Sequence, residues 1–593
     1  MMKKLPLFIS FLVISTSVFS QPWLWGIKGA GLGTAYGSVE SNSVTIDAKG
    51  NAYLAADFVD SVMFGSYKIK SKIMSLPNKY EGDIFLIKVD SIGNILWSAQ
   101  SNRSSNNSSI GIDNGFPGTS LITTDKKGNS YLTGFFSDSV YFGSYLLTGL
   151  YVEAFLVKYD VNGNVSWAVQ SAIASHSFSY VHGNSIITDE IGNVYLAGEF
   201  QDTIAFGTSK LYSKQPSFFL TKYDSSGKVI WAKQTKESNY YRLSTNILPS
   251  IAIDKMNNIY MTGYFDDTIN FGSSTLVSPN PAYNFAAFLT KYDSSGNVIW
   301  AKQSGTIADS SRAESFSVIT DNADNIYITG FFNDTVTFGA DTLKRSAISP
   351  RRVSYGSIFL VKYDPDGNII WAKQSRGDTA EYGWSGWSLK ADSLNYIYLA
   401  CGSYKYWLRT DSLIFLNDTF PYTASYSEPS FVAKLDTGAN VLCSSLIVAG
   451  GDDQNAIAVS PSGKYVYLGG DIHTTVVLGN DTLHECPACE NSFIARWEPC
   501  YKGLITEVSE TKPDLNIINV YPNPFSVSTN VVFNNNGKHY LELNDMTGRR
   551  LKSIICEGSQ YALHLNDIAT GIYFIYSHDS ENSPVSVKKI IIE

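Results

Sequence analysis

The chain has 593 residues, and charged residues make up only 17% of it, with a formal net charge of −9. This weakly charged, acidic composition excludes nucleic acid as an expected partner, because a polyanion is held by clustered cationic side chains. The length is sufficient for one large domain and one small one.

The first 20 residues have the pattern of a secretory signal peptide. Lys3 and Lys4 form a charged start, an apolar or small run extends from Leu5 to Val18, and Ser20 suits the last position before a cleavage site. The apolar run is too short to span a membrane. Because no other long apolar run follows, we expect an exported mature chain without a membrane span.

A unit of about 65 to 75 residues recurs along the chain as far as residue 500. Two markers keep this spacing independently, so composition alone does not produce the repeat. One marker is a tyrosine that follows the first turn of each unit: Tyr53, Tyr131, Tyr195, Tyr260, Tyr327, Tyr398 and Tyr467. The other is a tryptophan near the end of the unit: Trp97, Trp167, Trp231, Trp300 and Trp371.

Each unit contains two hairpins. In the second unit, LITTD and SYLTGFF flank the turn residues KKGN, and AFLVKYD and VSWAVQS later flank VNGN. β-branched and aromatic residues suit the pleated, half-buried surface of a strand. Gly and Asn in the turns tolerate the positive φ of tight hairpins. The pattern predicts a four-stranded antiparallel sheet per unit and few helices.

About seven such sheets predict an all-β fold, namely a seven-bladed β-propeller over residues 21–500. A linear β-solenoid is the alternative, and it would need distinct end caps. The seventh unit has no fourth strand after Ser492–Glu498, whereas a strand of the missing type occurs at Pro22–Gly29, with Trp25 in register with the other tryptophans. We therefore predict that an N-terminal strand completes the last blade and closes the ring.

The repeat resembles the bacterial β-propeller repeat family called SBBP over roughly Pro22 to Pro499. The resemblance implies the propeller fold. It does not imply a function, because propellers carry many unrelated activities.

The C-terminal part has a different pattern. Residues 501–516 are a predicted polar linker, and residues 517–593 alternate apolar and turn residues, as expected of a small Ig-like β-sandwich. The sandwich contains a set of motif residues: Tyr521, Pro522, Asn523, Pro524, Gly571, Tyr573, Lys588 and Lys589. In this order they resemble the type A sorting domain of the bacterial type IX secretion system. A fibronectin-like accessory domain that stays on the protein is the alternative.

The resemblance to a sorting domain implies a cellular destination for the whole chain. It implies the type IX secretion machinery as a partner, export through the periplasm and passage across the outer membrane. It also implies removal of the tail, followed by release or attachment at the cell surface.

Six cysteines occur in this exported chain, where disulfides are plausible. Cys486, Cys489 and Cys500 cluster near the end of the seventh unit, and a disulfide from Cys500 to one of the other two would staple the last blade where the ring closes. The alternatives are free thiols, a redox pair, or a zinc site completed by His484. We favour the disulfide, and we expect neither a metal nor a cofactor.

Charged residues recur once per unit. A lysine lies in the third strand (Lys88, Lys158, Lys222, Lys291, Lys362 and Lys434, with Arg496 in the last unit), and an aspartate ends the first strand (Asp47, Asp125, Asp189, Asp254, Asp321 and Asp392). Because unpaired charges in packed sheets are costly, we predict a ring of semi-buried ion pairs. The turn Asp364–Asn368 resembles the start of a calcium loop, but a hairpin turn whose Asp caps its own backbone is the favoured interpretation.

An Asp-Ser/Thr-aliphatic triplet also recurs. One interpretation is a turn in which Asp bonds back to the backbone. The triplet also resembles an O-glycosylation signal of exported bacterial proteins, which makes its hydroxyl residues glycan candidates: Ser61, Ser139, Thr203, Thr268, Thr335 and Ser412.

No pairing of a nucleophile with a base, and no familiar catalytic motif, is apparent in the sequence. His176 and His182 are expected in a solvated loop between the second and third units. We therefore expect a non-catalytic protein that binds a glycan or a protein. The alternatives are a propeller-based polysaccharide lyase or hydrolase, and a structural component of the surface or matrix.

The expected binding surface is formed by the loops that vary between units. The longest loops are Tyr67–Gly82, Ser101–Gly118, Thr235–Pro249, Val277–Asn284, Lys344–Gly356 and Tyr404–Pro429. The candidate ligand contacts are aromatic residues in or near irregular segments: Trp384, Trp387, Tyr240, Tyr241, Tyr404 and Trp407.

Overall fold

The computed structural model divides the chain into two compact units, Met1–Tyr501 and Lys502–Glu593, which we describe separately. It describes residues 23–31, 39–65, 67–71, 82–105, 108–112, 120–173, 179–236, 249–278, 285–306, 311–345, 356–376, 383–404, 411–416, 418–422, 429–448, 456–472, 476–478, 481–483, 491–499, 519–521, 523, 527–533, 536–545, 550–565, 567–578 and 586–592. All regular secondary structure assigned in these ranges is β-strand, which confirms the all-β prediction. Over the same ranges, no helix has the length and apolarity needed to cross a bilayer.

Seven antiparallel groups of four strands, which we call sheets, account for most of the first unit among its described residues; other pairings link some of these groups into larger sheets. We number the seven groups 1 to 7 in chain order. Sheet 1 contains Val39–Ile46, Ala52–Phe58, Asp83–Val89 and Ile95–Arg103, and sheet 2 contains Ile122–Thr124, Ser130–Phe142, Tyr145–Tyr159 and Val165–Gln170. Sheet 3 contains Tyr180–Thr188, Val194–Phe206, Ser209–Tyr223 and Val229–Gln234, and sheet 4 contains Ser250–Ile253, Ile259–Phe265, Ala286–Tyr292 and Val298–Gln303.

The remaining three sheets follow the same order. Sheet 5 contains Arg312–Thr320, Ile326–Asn333, Ser357–Tyr363 and Ile369–Arg376, and sheet 6 contains Gly383–Ala391, Ile397–Tyr404, Pro429–Leu435 and Val441–Val448. Sheet 7 contains Ala456–Val459, Val466–Ile472, Asn491–Trp497 and Trp23–Gly31.

The Asp-x-x-Gly-Asn turns explain why the hairpins form. Asp47 Oδ1 accepts hydrogen bonds from the backbone N–H groups of Lys49 at 2.9 Å and Asn51 at 3.0 Å. Gly50 adopts a φ of 86°, which a side chain would strain. The aspartate thus organises its own turn, and the glycine supplies the backbone conformation that the turn requires.

The strand Trp23–Gly31, which we call the closing strand, completes sheet 7. It pairs antiparallel with Asn491–Trp497, with Ile27 opposite Ile494. The Trp23 ring lies 6.5 Å from the Trp497 ring, and Trp23 Nε1 donates to Ser445 Oγ of sheet 6 at 3.1 Å. The pairing predicted from the surplus N-terminal strand is therefore confirmed.

The sheets contact one another in a circuit, which gives a propeller-like arrangement. Seven apolar clusters of described residues lie between successive sheets, and one of them joins sheet 7 to sheet 1 through Tyr467 and Val44. The Tyr467 hydroxyl also donates to the Gly50 carbonyl of sheet 1 at 2.7 Å. The apolar core is thus distributed between the sheets.

A further hairpin, which we call the outer hairpin, lies between the second and third strands. In sheets 2 and 3 it continues those two long strands; elsewhere it is formed by Ser61–Phe64 with Tyr67–Lys70, Thr268–Phe271 with Ser274–Val277, Thr335–Phe338 with Asp341–Lys344, Asp411–Phe415 with Asp418–Tyr422, and Val476–Leu478 with Asp481–Leu483. The outer hairpins of sheets 1 to 6 pair with the last strand of the preceding sheet or with residues just after it; one example places Phe64 opposite Gly29 of the closing strand. In these cases the pairing covers part of the exposed edge of the preceding sheet, where unpaired backbone groups would favour aggregation.

The outer hairpins also bear on the Asp-Ser/Thr triplets. The aspartates adopt positive φ in five of them, at Asp60, Asp138, Asp202, Asp267 and Asp334. Aspartate tolerates this region better than most residues, which favours the turn interpretation. Ser139, Thr203, Thr268 and Thr335 are partly exposed, Ser61 is only 6% exposed, and Ser412 lies in a strand whose side chains are not described. Glycosylation at these residues stays a prediction, and in the folded state Ser61 has little exposed surface to carry a glycan.

The cysteines are distributed over both units. Cys401 and Cys556 are buried free thiols, and Cys443 is disulfide-bonded. The predicted pairing among Cys486, Cys489 and Cys500 falls outside the described residues and stays a prediction.

The second unit contains two sheets around one apolar core. The three-stranded sheet is formed by Asn519–Tyr521, Ser528–Val532 and Gln560–His564, and the four-stranded sheet by Lys538–Asn544, Arg550–Glu557, Gly571–His578 and Ser586–Ile592. Val531, Leu541 and Ile590 are among the buried residues that both sheets contribute to the core.

Glu153 in the third strand of sheet 2 gives a pH-dependent prediction. Its side chain is buried, and desolvation raises the pKa of its carboxyl to about 7, although a hydrogen bond from Gln170 Nε2 at 2.8 Å favours the charged form. The folded state therefore keeps a proton that the unfolded state loses above the ordinary pKa of 4.5, so stability falls as pH rises between these two values. We expect Glu153→Gln to raise the unfolding temperature at pH 8 and to leave it unchanged at pH 4, as measured by calorimetry.

The matched control is Glu190→Gln, because the Glu190 side chain is 74% exposed. Its effect should not grow with pH. An effect of Glu153→Gln that is equal at pH 4 and pH 8 would contradict the assignment.

Candidate functional site

The order of the strands separates two faces of the propeller-like unit. In an antiparallel four-stranded sheet, the turns after the first and third strands lie at one end of the strands, and the connections after the second and fourth strands lie at the opposite end. The Asp-x-x-Gly-Asn turns lie at the first end, which we call the turn face. The six long variable loops fall between the second and third strands of a sheet or between its fourth strand and the next sheet. The sheet strands that flank them therefore have their adjoining ends at the opposite end, which we call the loop face.

The turn face repeats the same side-chain cluster from sheet to sheet. In sheet 1, Asp47 accepts a hydrogen bond from the Tyr53 hydroxyl at 3.2 Å and lies 3.1 Å from Lys88 Nζ, which stands 4.8 Å over the Tyr53 ring. Desolvation alone would raise the pKa of Asp47, but hydrogen bonds from Asn51 and Lys88 outweigh it and hold the pKa below its usual value. Six sheets contain this Asp–Tyr pair with a lysine over the tyrosine.

The predicted ring of ion pairs is confirmed only in part. The Lys–Asp distances are within 4.0 Å for Lys88, Lys222 and Lys291. Lys158 and Lys362 instead donate to backbone carbonyls of the next sheet, at Ser225 and Thr437. The lysines thus also join neighbouring sheets, which spacing within one unit could not show.

The repeated tryptophans join sheets at the same face. Trp97 Nε1 donates to the Val161 carbonyl of sheet 2 at 3.0 Å, and the ring lies against Gly163, where an added Cβ would come within 2.8 Å of it. Asp364, the calcium alternative, accepts from the N–H groups of Asp366 and Asn368 in its own turn. Over the described ranges, no three His, Cys, Asp or Glu side chains are grouped to hold a metal. The repeated lysine and tryptophan contacts join neighbouring sheets at the turn face, as expected of a scaffold.

The loop face differs from sheet to sheet at equivalent places. One such position lies four residues after the repeated tyrosine of the second strand. In most units it follows a small residue and precedes a bulky apolar one. Its occupants are Asp57, Phe135, Glu199, Tyr264, Phe331, Gly402 and Asp471. Acidic, aromatic and small residues thus occupy the same place in different sheets, whereas the turn-face positions keep the same residue type in most sheets. This variation marks the loop face as the candidate functional site.

A His–Glu pair is the best-defined part of this site. His182 lies in the first strand of sheet 3, and its Nδ1 is 3.3 Å from Oε1 of Glu199, which is 2% exposed. Burial raises the pKa of Glu199, and the hydrogen bond from His182 opposes that rise. The His182 ring lies 4.9 Å from Phe135 of sheet 2 and 5.1 Å from Tyr180. The expectation that His182 lies in a solvated loop is wrong, because the first strand begins at Tyr180.

A second charged pair lies at the equivalent end of sheet 5. Arg312 forms an ion pair with Glu314, and its guanidinium stands 5.1 Å over Phe285 and 5.2 Å over Phe331. Burial raises the pKa of Glu314, whereas the Arg312 charge lowers it. Both clusters therefore combine a buried carboxylate, a partly exposed cationic or ionisable group, and aromatic rings.

The aromatic contacts predicted from sequence have different outcomes. Trp387 is 1% exposed and lies 5.4 Å from Phe316, so its prediction as a ligand contact is wrong; it fills the core between sheets 4, 5 and 6. Trp384 and Tyr404 lie in paired strands at the loop face, where Trp384 is opposite Ser403, and their side chains are not described. Tyr240, Tyr241 and Trp407 lie outside the described residues.

Sequence reasoning did not find Phe135, Tyr180, Glu199, Arg312 or Glu314. An alignment of the seven units at the small residue near the end of the second strand would have shown Glu199 where three other units have the aromatic residues Phe135, Tyr264 and Phe331.

The sorting residues lie in the second unit. Asn523 Oδ1 accepts a hydrogen bond from the Ile591 N–H at 2.8 Å, so this motif residue fixes the terminal strand. Tyr573 donates to the Ala569 carbonyl at 2.8 Å. Gly571 pairs with Ile592, Lys588 with Ile575, and Lys589 with Phe574, whereas Tyr521 ends a strand and Pro522 and Pro524 are outside the described residues.

Both parts of the chain are similar to known proteins. A family model for the secretion system C-terminal sorting domain matches residues 519–593. The chain is 23% identical over 395 residues to the uncharacterized WD repeat-containing protein L264 of Acanthamoeba polyphaga mimivirus, which covers 56% of this chain and 27% of that protein. The chain thus spans about a quarter of the length of this curated relative, whose repeat class agrees with the predicted propeller repeats.

Solved structures also show a likeness. PorZ, an essential bacterial surface component of the type IX secretion system of Porphyromonas gingivalis, is 10% identical with a TM-score of 0.21, covering 95% of this chain and 100% of that one. A protein of unknown function from Dyadobacter fermentans is 7% identical with a TM-score of 0.31, covering 79% and 98%. These scores are too low to indicate a shared function.

The family match and the motif residues indicate the same cellular destination for the protein. Residues 519–593 form a type IX secretion system C-terminal sorting domain, and the chain is a protein exported through the periplasm to the cell surface or into the medium.

Proposed function

We propose that the exported chain is a closed seven-bladed β-propeller, followed by an Ig-like sorting sandwich, whose loop face binds an extracellular glycan or protein without catalysis. The observation that carries the proposal is the segregation of the two faces. Scaffold clusters repeat at the turn face, whereas the strand ends that flank the long loops share the loop face with the non-repeating residues. A binding site is usually one place on a rigid scaffold, which fits this division.

The chemistry of the loop face supports recognition of a polar ligand. Aromatic rings such as Phe135 and Phe285 are partly exposed, and each lies beside an ionisable side chain, His182 or Arg312. A flat apolar surface next to hydrogen-bonding groups can stack on a sugar ring or hold a side chain of a partner protein.

The test is binding of the mature chain to a glycan array and to surface proteins in a pull-down. We expect His182→Gln and Arg312→Gln to weaken binding by about tenfold or more, because a central interface contact contributes at least about 1.4 kcal/mol. Glutamine still donates a hydrogen bond to Glu199 or Glu314, which limits damage to the fold. Lys126→Gln is the control, since the Lys126 side chain is 67% exposed on the turn face. Loss of binding only in the Lys126 variant would contradict the proposal.

The His182–Glu199 pair is the observation that favours the enzyme alternative. A histidine oriented by a carboxylate can act as a general base, which a polysaccharide lyase requires. Burial and the Glu199 charge raise the pKa of Tyr180, so this tyrosine stays protonated and would serve as a donor. Shortened chains or unsaturated products after incubation with the bound glycan would support this alternative, and intact glycan supports non-catalytic binding.

A further inference from the structure

A narrow chamber lies where the first strands of the sheets converge. Its volume is about 20 Å³, and its polar lining consists of Ser43, Ser120, Ser250, Ser317, Ser388 and Lys390. A water molecule needs about 10–15 Å³ on this measure, so the chamber has room for one small ion or one to two waters.

Three of the serines that line the chamber also accept a hydrogen bond from the backbone of the next sheet. Ser43 Oγ accepts the Leu121 N–H at 3.0 Å, Ser317 Oγ accepts the Leu389 N–H at 3.0 Å, and Ser388 Oγ accepts the Ile457 N–H at 3.4 Å, in each case from the next sheet. A serine oxygen that accepts such a bond still has its own proton to donate. Within the described ranges, none of these three hydroxyls donates to a protein acceptor.

Lys390 is exceptional among the seven units. The equivalent places in the other first strands have Thr45, Thr123, Ile187, Ala252, Ile319 and Ala458, none of which is charged. No described residue lies within hydrogen-bond or ion-pair distance of Lys390 Nζ. Burial lowers the pKa of the amine, because the charged form loses its hydration.

The nearest carboxylate in sequence does not neutralise this lysine. Asp392 accepts from the N–H groups of Leu394 and Tyr396 and from the Tyr398 hydroxyl at 2.9 Å. Its oxygens are therefore committed to the turn. Lys390 is only partly buried, so its ammonium is incompletely hydrated, and an external anion would supply the counter-charge that no described residue provides.

We propose that the chamber binds one small monoatomic anion, of the chloride or bromide class, held by the Lys390 ammonium and the serine hydroxyls. The polar groups of these side chains can donate hydrogen bonds, and one of them is a cation, which disfavours a metal ion. The volume excludes sulfate, phosphate and organic carboxylates. Because the lining comes from several sheets, the anion stabilises the junction at which they meet.

The test is the unfolding temperature of the mature chain in sodium chloride and in sodium gluconate at equal ionic strength. We expect about 300 mM chloride to raise it by about 2 °C, because a ligand of the folded state alone stabilises that state. Bromide should act like chloride. Lys390→Met should abolish the difference between the two salts, whereas Lys126→Met, which removes an exposed lysine, should retain it.

A second measurement does not depend on how the variants fold. Crystals of the wild-type chain soaked in bromide should show an anomalous peak between Lys390 and the serine ring. No halide effect in the wild type, an equal effect in Lys390→Met, or a chamber that contains only water would overturn the proposal.

Discussion

A mature chain shortened to begin at Leu32 is expected to lose cooperative folding of its first unit. The deletion removes the closing strand and leaves the backbone edge of Asn491–Trp497 unpaired, including the fully buried Phe493 and Ile494. It also removes Trp23, which is 6% exposed and packs against Trp497. Burying a large apolar side chain contributes about 1.5–3 kcal/mol, and truncating a buried tryptophan costs about 3–5 kcal/mol. The free energy of unfolding lost with this strand therefore approaches the total stability of a typical domain, about 5–15 kcal/mol.

Thermal unfolding followed by circular dichroism, together with size-exclusion chromatography, measures this effect. We expect a fall in the unfolding temperature of more than about 10 °C, or aggregation through the exposed strand edge. Addition of a synthetic peptide of residues 21–31 should restore the cooperative transition, because it supplies the same strand in trans. An unchanged unfolding temperature would show that the ring does not depend on the closing strand.

The fold was predictable from sequence because its determinants are local and repeated. Turn residues such as Gly50 and Asn51, and alternating apolar residues around Tyr53, specify hairpins within a few positions of each other. The closing strand was predictable for the same reason, since Trp25 preserves the register of the other units. Its Nε1 donates to the Ser91 carbonyl of sheet 1 at 3.2 Å, the same kind of contact that Trp97 makes with sheet 2.

The candidate site was not predictable to the same degree, because its contacts join distant parts of the chain. Phe135 meets His182 across a sheet boundary, and no spacing rule relates the two residues. Trp387 illustrates a different difficulty. A register shift between Gly386 and Ser388 places this tryptophan in the core, whereas the irregular sequence around it had suggested a surface position.

Asp321→Ala is expected to destabilise the chain by about 3–5 kcal/mol, the range for removing one partner of a buried charge network. Asp321 accepts from the N–H groups of Ala323 and Asn325 at 2.9 Å and from the Tyr327 hydroxyl at 3.0 Å, and Lys362 stands over the tyrosine ring. The substitution would leave the buried hydroxyl without this acceptor and the lysine without its nearby negative charge.

The matched control is Asp364→Ala, at the other hairpin of the same sheet. Asp364 makes the equivalent turn bonds to Asp366 and Asn368 but is more exposed than Asp321 and makes no described contact with a lysine or a tyrosine. It should cost only about 1 kcal/mol, the net contribution of such hydrogen bonds. Urea unfolding of the two variants separates the contribution of the turn from that of the cluster. Equal losses would mean that the aspartates act only as turn residues, and that the repeated lysines and tyrosines do not stabilise the scaffold through them.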